Sequence, residues 1–525
     1  MDEPQARVSG PSANVTRLAD LIRVAARRQK QAVAVEFEGE TRSYEAFCRR
    51  SLQLCAGLQG FCARGDRIAI FARNCIEYLE LYAALQIGGF VAVPVNYRLA
   101  AEELLYIVQN SGARALVVEE EFLPLLEQLG EKLALAEDAI VIIGRAPPGH
   151  RNLAALIAGA EPQDAKPAGR PLDPAAIYYT SGTTGFPKGA VLSQLALLIR
   201  FCSWGWKFGI TDEDTVLVPG PVFHQSFCSI AIIALCMGGK VVLQRDFEPD
   251  AALRAIGSQR ITWSFLVPKM LAALVERLAA GSSWDLSSVR TLLSSGATLP
   301  QPLLAALRHH FPGARLCDAY GWTESGWITI SSQEELTRKE RSVGRPTFGC
   351  ELAILDPEGN VLGPGETGRI CAANPVPFLG YHANPAATAA IRFGKWEASG
   401  DIGYLDDDGY LFILDRERDV IISGGENIYP AEIERVLVEH PDVAEVAVVG
   451  VPDQTWGETP RACVVVRDGH APSDEELIAY CAERIARYKR PRSIARYEAL
   501  PRNSMGKVLR RELRAHFWTE GGAIP

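Results

Sequence analysis

Up to about residue 350, short β-rich runs alternate with stretches of helical apolar spacing. That alternation limits the chain to layered α/β architectures. The expected strands are Arg67–Phe71, Val91–Val95, Ala115–Val118, Ala139–Ile143, Ile177–Thr180, Val216–Val218, Val241–Leu243, Trp263–Leu266 and Thr291–Leu293. Helical patterns such as Glu77–Leu85 and Met270–Leu278 lie between them, so largely parallel sheets covered by helices are expected. The Pro-rich, polar stretch Arg145–Pro174 reads as a long surface loop.

The texture changes after that. Asp356-Pro357-Glu358-Gly359-Asn360 and Asp406-Asp407-Asp408-Gly409 are turn signals between short apolar runs, which predicts a small β-barrel or meander over 351–414. Beyond residue 418, Pro430 opens a helix with Ile433, Val436 and Leu437 on its apolar face. Strands Val443–Val449 and Ala462–Val466 follow, and Ser473-x-x-Glu476 is a capping box. Leu509, Leu513 and Phe517 mark a last amphipathic helix. A chain of 525 residues is too long for one core. The expected plan is a large multi-layered N-terminal part, 1–414, followed by a short link, 415–418, and a small α+β domain, 419–525.

Net charge is −9 with no long basic run, which argues against a nucleic-acid partner. The twelve cysteines include no C-x-x-C and no zinc spacing, so buried free thiols are expected. The start Met-Asp-Glu is no secretory signal, and the most apolar stretch, Phe227–Met237, is too short to span a bilayer. The C-terminal Ala-Ile-Pro is no peroxisomal address, which leaves a cytoplasmic enzyme as the expectation.

The segment richest in chemistry is Tyr179-Thr180-Ser181-Gly182-Thr183-Thr184-Gly185-Phe186-Pro187-Lys188-Gly189, directly after an expected strand. Its glycines let the backbone approach an anion, and its hydroxyls and amides supply donors to phosphate oxygens. It is not a Walker A loop, because Pro187 replaces the required Gly and no Ser or Thr follows Lys188. Downstream, in order, come Tyr320-Gly321-Trp322-Thr323-Glu324, Ser399-Gly400-Asp401, Asp415-Arg416-Glu417-Arg418-Asp419, Ser423-Gly424-Gly425-Glu426-Asn427 and Pro501-Arg502-Asn503-Ser504-Met505-Gly506-Lys507. They offer an aromatic face and a carboxylate, a second carboxylate, a charged link, paired glycines and a lysine.

This ordered set resembles the adenylate-forming superfamily of acyl- and aryl-CoA synthetases, luciferases and peptide-synthetase adenylation domains, over roughly residues 15 to 515. The resemblance implies that Thr180, Ser181, Gly182, Thr183, Thr184, Gly185 and Lys188 hold the ATP phosphates. Ser295, Gly296, Ala297, Tyr320, Gly321 and Thr323 would border the adenylate, and Asp401 and Arg416 would bind the ribose. Thr184 and Glu324 would place Mg²⁺. Lys507 would bridge the substrate carboxylate and the α-phosphate. His224, Phe227, Ala319, Gly321, Trp322 and Gly326 would line the acyl site, with His224 beside the reacting group. Gly424, Gly425 and Trp456 would line the path of coenzyme A. Arg418 would sit at the hinge of a mobile C-terminal domain, and a homodimer is one assembly open to such a chain.

The implied reaction joins a carboxylic acid to CoA through an acyl-adenylate, with ATP and Mg²⁺. No carrier domain follows Lys507 in the sequence, though delivery to a free-standing carrier protein and an oxygen-using luciferase are rivals, with a catalytically silent nucleotide-binding module as the alternative from another class. The segments 224–230, 294–297 and 319–326 contain no Lys or Arg, so an uncharged acyl tail is expected: fatty, aryl or alicyclic.

Overall fold

The helices Ile76–Gly88 and Gln225–Met237 are apolar on nearly every face, and almost all of their residues are buried. A helix without a polar stripe has to be covered on all sides, which demands a layered body rather than a single sheet with one helical face. Both end on a glycine in the left-handed region, Gly89 (φ 68°) and Gly238 (φ 95°). A Cβ on Gly89 would lie 2.9 Å from the carbonyl carbon of Ala168, so the chain turns there only with glycine.

The computed structural model describes residues 17–180, 187–281, 283–297, 299–424, 426–482, 484–502 and 508–521. The chain divides into two compact units, Met1–Glu351 with Ala373–Ala390 and Leu352–Ala372 with Ile391–Pro525. The strands of 351–414, expected as part of the N-terminal body, thus belong largely to the second unit.

The first unit holds two sheets. One has nine strands in the order Arg345–Pro346, Gly326–Ser331, Arg315–Trp322, Thr291–Ser295, Trp263–Phe265, Thr215–Val218, Lys240–Leu243, Val33–Phe37 and Glu40–Ser43. Its interior pairings are parallel, and Arg315–Trp322 turns back antiparallel onto Gly326–Ser331. The other has eight strands, Gly380–Tyr381, Lys188–Ser193, Pro174–Thr180, Val91–Pro94, Arg67–Phe71, Ala115–Glu119, Ile140–Ile143 and Arg151–Asn152. Each expected strand is present to within a few residues. The expected surface loop 145–174 is not structureless. Asn152 caps a helix, Leu153–Ala158, by accepting from Ala155 N at 2.9 Å, and Leu153 and Ile157 are buried one turn apart. Two apolar residues at helical spacing outweigh the prolines around them.

In the second unit, Gly368–Ala373, Trp396–Leu405 and Leu411–Arg416 belong to a five-stranded sheet. A second five-stranded sheet is built on the long hairpin Val443–Asp453 and Gly457–Val466. Pro430 begins the helix Pro430–Val438, and Ser473 and Glu476 exchange the two bonds of a capping box at 2.9 and 3.1 Å. Apolar clusters on the two faces of this sheet include Ile433, Val436 and Leu437, and Leu513 and Phe517. Among the described residues, no helix is long and apolar enough to cross a membrane.

Candidate active site

In the first unit the strand Pro174–Thr180 pairs antiparallel with Lys188–Ser193, placing Thr180 opposite Lys188. Thr180 Oγ1 lies 3.4 Å from the Lys188 carbonyl, so the two ends of the glycine-rich loop are adjacent. Ser181, Gly182, Thr183, Thr184 and Gly185 lie outside the described residues.

Glu324 sits in the turn between Arg315–Trp322 and Gly326–Ser331 and is only 6% exposed. Its Oε1 accepts a hydrogen bond from the Tyr381 hydroxyl at 2.5 Å, and its backbone carbonyl accepts from Arg200. Tyr381 belongs to Gly380–Tyr381, which pairs with Lys188–Ser193. The Lys188 ammonium stands 5.5 Å from the centre of the Tyr381 ring. One phenol therefore touches a buried carboxylate and a cation drawn from separate motifs. A carboxylate offers about four lone-pair sites, so a bond at Oε1 leaves room for a cation as well. Mg²⁺ is commonly held by one or two protein carboxylates together with phosphate oxygens, so this donor set fits it.

Tyr320 and Trp322 are partly exposed on the same strand, with ring centres 5.9 Å apart. Ser295 is buried, and its hydroxyl accepts from Trp327 Nε1 at 3.0 Å. Gly296 and Ala297 are exposed, and Gly296 takes a left-handed φ of 91°. Thr323 is partly buried. Gly321 and Gly326, expected to leave space, have a packing reason of their own. A Cβ on Gly321 would overlap the Gly326 carbonyl, and one on Gly326 would lie 2.5 Å from the Trp204 ring.

His224 caps the helix Gln225–Met237, its Nδ1 accepting from Ser226 N at 3.3 Å. Burial pushes its pKa down to about 4, so the imidazole is neutral at pH 7. Phe227 is fully buried against Phe265, ring centres 4.6 Å apart, and Phe265 in turn meets Trp327 at 5.6 Å. Ala319 is buried on the neighbouring strand.

In the second unit, Asp401 and Arg416 are direct cross-strand partners, and Arg416 Nε lies 2.8 Å from Asp401 Oδ1. Gly424 has φ 58° and donates its N–H to the Trp456 carbonyl at 2.8 Å. The Trp456 ring covers it, and the Arg492 guanidinium lies 4.9 Å from that ring's centre. Arg418 is exposed in the short turn Glu417–Asp419. Lys507 and Gly425 lie outside the described residues.

The model of the AMP-binding enzyme family matches residues 22–382, and that of the AMP-binding enzyme C-terminal domain matches 432–507. The chain belongs to the AMP-binding enzyme family. This adenylate-forming chain is 36% identical over 498 residues to a feruloyl-CoA synthase of Amycolatopsis sp, covering 94% of this chain and 97% of that one. It is also 36% identical over 514 residues to the fatty acid–[acyl-carrier-protein] ligase ScoC of Streptomyces coeruleorubidus, covering 94% and 95%. Among solved structures, the o-succinylbenzoate CoA synthetase of Bacillus subtilis with its acyl-adenylate intermediate superposes with a TM-score of 0.83 at 32% identity, covering 94% of this chain and 97% of that one.

For a member of this adenylate-forming family, two groups at the site were absent from the sequence reading. Tyr381 is one, and Arg200, buried and bound to the Glu324 carbonyl, is the other. Tyr381 carried a weak signal, an aromatic after Gly380 in a short apolar run, with nothing to say which motif it would meet.

Proposed function

We propose that this protein is an AMP-forming carboxylic acid:CoA ligase acting on an aryl acid with an uncharged tail. The observation that carries the reading is the meeting of Lys188, Tyr381 and the buried Glu324 beside the two ends of the glycine-rich loop. Such a cluster supplies one cation and one carboxylate to a polyphosphate. Four of the motifs that suggested adenylation take part in it or in the Asp401–Arg416 pair.

In the first half-reaction the substrate carboxylate attacks the α-phosphorus of ATP, a P–O bond forms, and pyrophosphate leaves. The nucleophile is already ionised, so no base is needed; the barrier is the approach of anion to anion. Lys507 and Lys188 would offset that charge in a site with little water. Mg²⁺, held by Glu324 with Thr184, would neutralise phosphate charge. Asp401 and Arg416 would hold the ribose hydroxyls. Ser295, Gly296, Ala297, Tyr320, Gly321 and Thr323 would border the base. In the second half-reaction the CoA thiol loses its proton and attacks the acyl carbon, and AMP leaves. Gly424, Gly425 and Trp456 would line its path, with movement about a hinge at 415–418 that includes Arg418.

None of the residues proposed for the acyl site, His224, Phe227, Ala319, Trp322 and Gly326, is a lysine or arginine, and the imidazole is neutral at pH 7. Phe227, Phe265 and Trp327 form a continuous aromatic contact there, which suits a flat ring. The feruloyl-CoA synthase and 2-succinylbenzoate–CoA ligase relatives support an aryl acid; feruloyl has an uncharged tail, whereas succinylbenzoate keeps a second carboxylate. We propose a cytoplasmic reaction, with a homodimer as a testable assembly. The likeness to ScoC keeps one alternative, acyl transfer to a carrier protein. The test is pyrophosphate release with a panel of cinnamic, benzoic and fatty acids, with CoA, with a holo carrier protein, and with neither. Aryl-dependent release and CoA-dependent thioester support the proposal. Thioester formed on the carrier alone overturns the choice of acceptor.

A further inference from the structure

Tyr381 is held more firmly than its place in a two-residue strand suggests. Leu379 N donates to Val191 O at 2.8 Å, and His382 N donates to Gly189 O at 2.7 Å, so the backbone is pinned on both sides of the residue. Its own N–H donates to Thr388 Oγ1 at 2.8 Å. From this short strand, paired with Lys188–Ser193, the side chain reaches Glu324 in the turn that joins two strands of the other sheet. A 2.5 Å bond from a hydroxyl to a buried carboxylate falls in the charge-assisted class, which is about twice as strong as a neutral one.

The chemistry of the phenol fits this position. It donates to the carboxylate and presents its electron-rich face to the ammonium. A direct Lys188–Glu324 ion pair would use up the two charges that a metal–polyphosphate needs. A tyrosine in contact with both orders them without neutralising either. Glu324 is fixed at its other end as well, where Arg200 binds its carbonyl. A small cation with strict geometry is sensitive to such anchoring, because a misplaced ligand carboxylate forfeits the site.

We propose that Tyr381 is a positioning residue that aims the Glu324 carboxylate at the cation of the metal–ATP complex and sets Lys188 beside it. The inference rests on the reading of Glu324 as the cation-holding group. The decisive variants are Tyr381→Phe, which keeps the ring and removes only the hydroxyl, Glu324→Gln, and the two combined. Binding of Mn²⁺·ATP and of AMP without metal would be measured by calorimetry on the full chain, with thermal unfolding alongside. The expected result is Mn²⁺·ATP binding weakened about tenfold in Tyr381→Phe, AMP binding changed less than about twofold, and an unfolding midpoint close to the parent. In the Glu324→Gln background, Tyr381→Phe should add almost nothing, since it acts through that carboxylate. Equal losses for Mn²⁺·ATP and AMP would mean a general structural role and overturn the inference. So would additive losses in the double variant, or unchanged Mn²⁺·ATP binding in Tyr381→Phe. If Glu324→Gln binds Mn²⁺·ATP as the parent does, the assignment of the cation to Glu324 fails first, and the inference fails with it.

Discussion

Arg416 and Asp401 face one another across two antiparallel strands, with Nε 2.8 Å from Oδ1. Asp401 is buried while about a third of the Arg416 side chain is exposed, so the pair is neither a surface ornament nor a sealed ion pair. Asp401→Asn keeps the shape and removes the charge. The expected outcome is a KM for ATP raised about tenfold, with a loss of stability of about 1–3 kcal/mol, the range for disturbing a hydrogen bond to a charged group. Steady-state kinetics and denaturant unfolding check both. An unchanged KM would remove Asp401 from the nucleotide site.

Asp318, two residues before Tyr320, predicts a pH dependence. Burial raises its pKa from 3.8 to about 7, and its Oδ1 has no partner among the described residues. The folded protein therefore holds a proton that the unfolded chain releases. The resulting stability is fully present below about pH 4 and is lost as pH rises through about 7. The slope approaches about 1.4 kcal/mol per pH unit for one proton. Asp318→Asn should flatten stability between about pH 4 and pH 7, the window set by that shift, and raise it at the upper end. Urea unfolding at several pH values is the measurement, and an undiminished slope in the variant would assign it to another group.

Much of this architecture was legible along the chain, and the exceptions share a cause. Strands such as Arg67–Phe71 and the capping box at Ser473 and Glu476 depend on neighbours in sequence, so composition and spacing reveal them. The facing of Asp401 and Arg416 was half visible, since two strands joined by the Asp406–Gly409 turn must pair in some register. Tyr381 was not visible, because its meaning depends on a short strand joining the edge of a sheet far away in the chain. Gly321 and Gly326 were seen as small, but smallness has two uses. Here both close a hairpin and its packing against Trp204, which a count of side-chain atoms cannot distinguish from an open pocket.

Gly424 gives a prediction on the transfer step. Its φ of 58° already disfavours a side chain, and an added Cβ would lie 2.5 Å from Trp456 Cε3. Gly424→Ala should push the Trp456 ring aside where the CoA path is proposed. Acyl-AMP formation should be nearly unchanged, and thioester formation should slow by about tenfold or more, which requires only about 1.4 kcal/mol of added barrier. Single-turnover rapid quench separates the two. Equal slowing of both would mean that the substitution disturbs the whole unit.

The last prediction concerns Arg510, three places after Lys507 and at the start of the helix Arg510–Gly521. Its Nη2 lies 2.6 and 2.8 Å from the two Glu434 oxygens, and Nη1 lies 3.4 Å from Asp419 Oδ2 beside the proposed hinge. Glu434 also accepts from Val448 N at 2.7 Å, so one half-buried cluster ties the last helix, the helix Pro430–Val438 and the long hairpin together. Removing the guanidinium leaves two half-buried carboxylates without their cation, at a cost of about 1–3 kcal/mol. Arg510→Met keeps the stem and should show that loss in unfolding experiments. It should also loosen the helix that follows the proposed adenylating lysine. Adenylation should therefore fall more than thioester formation from supplied acyl-AMP, in the same direction as Lys507→Ala but less deeply. The lysine variant should lose about 10²–10³-fold in the first half-reaction, as removal of an electrostatic donor does. Adding Arg510→Met to Lys507→Ala should then cost little further adenylation, because the arginine's effect on that step passes through the lysine. A full additional loss in the double variant would show that Arg510 serves adenylation by another route.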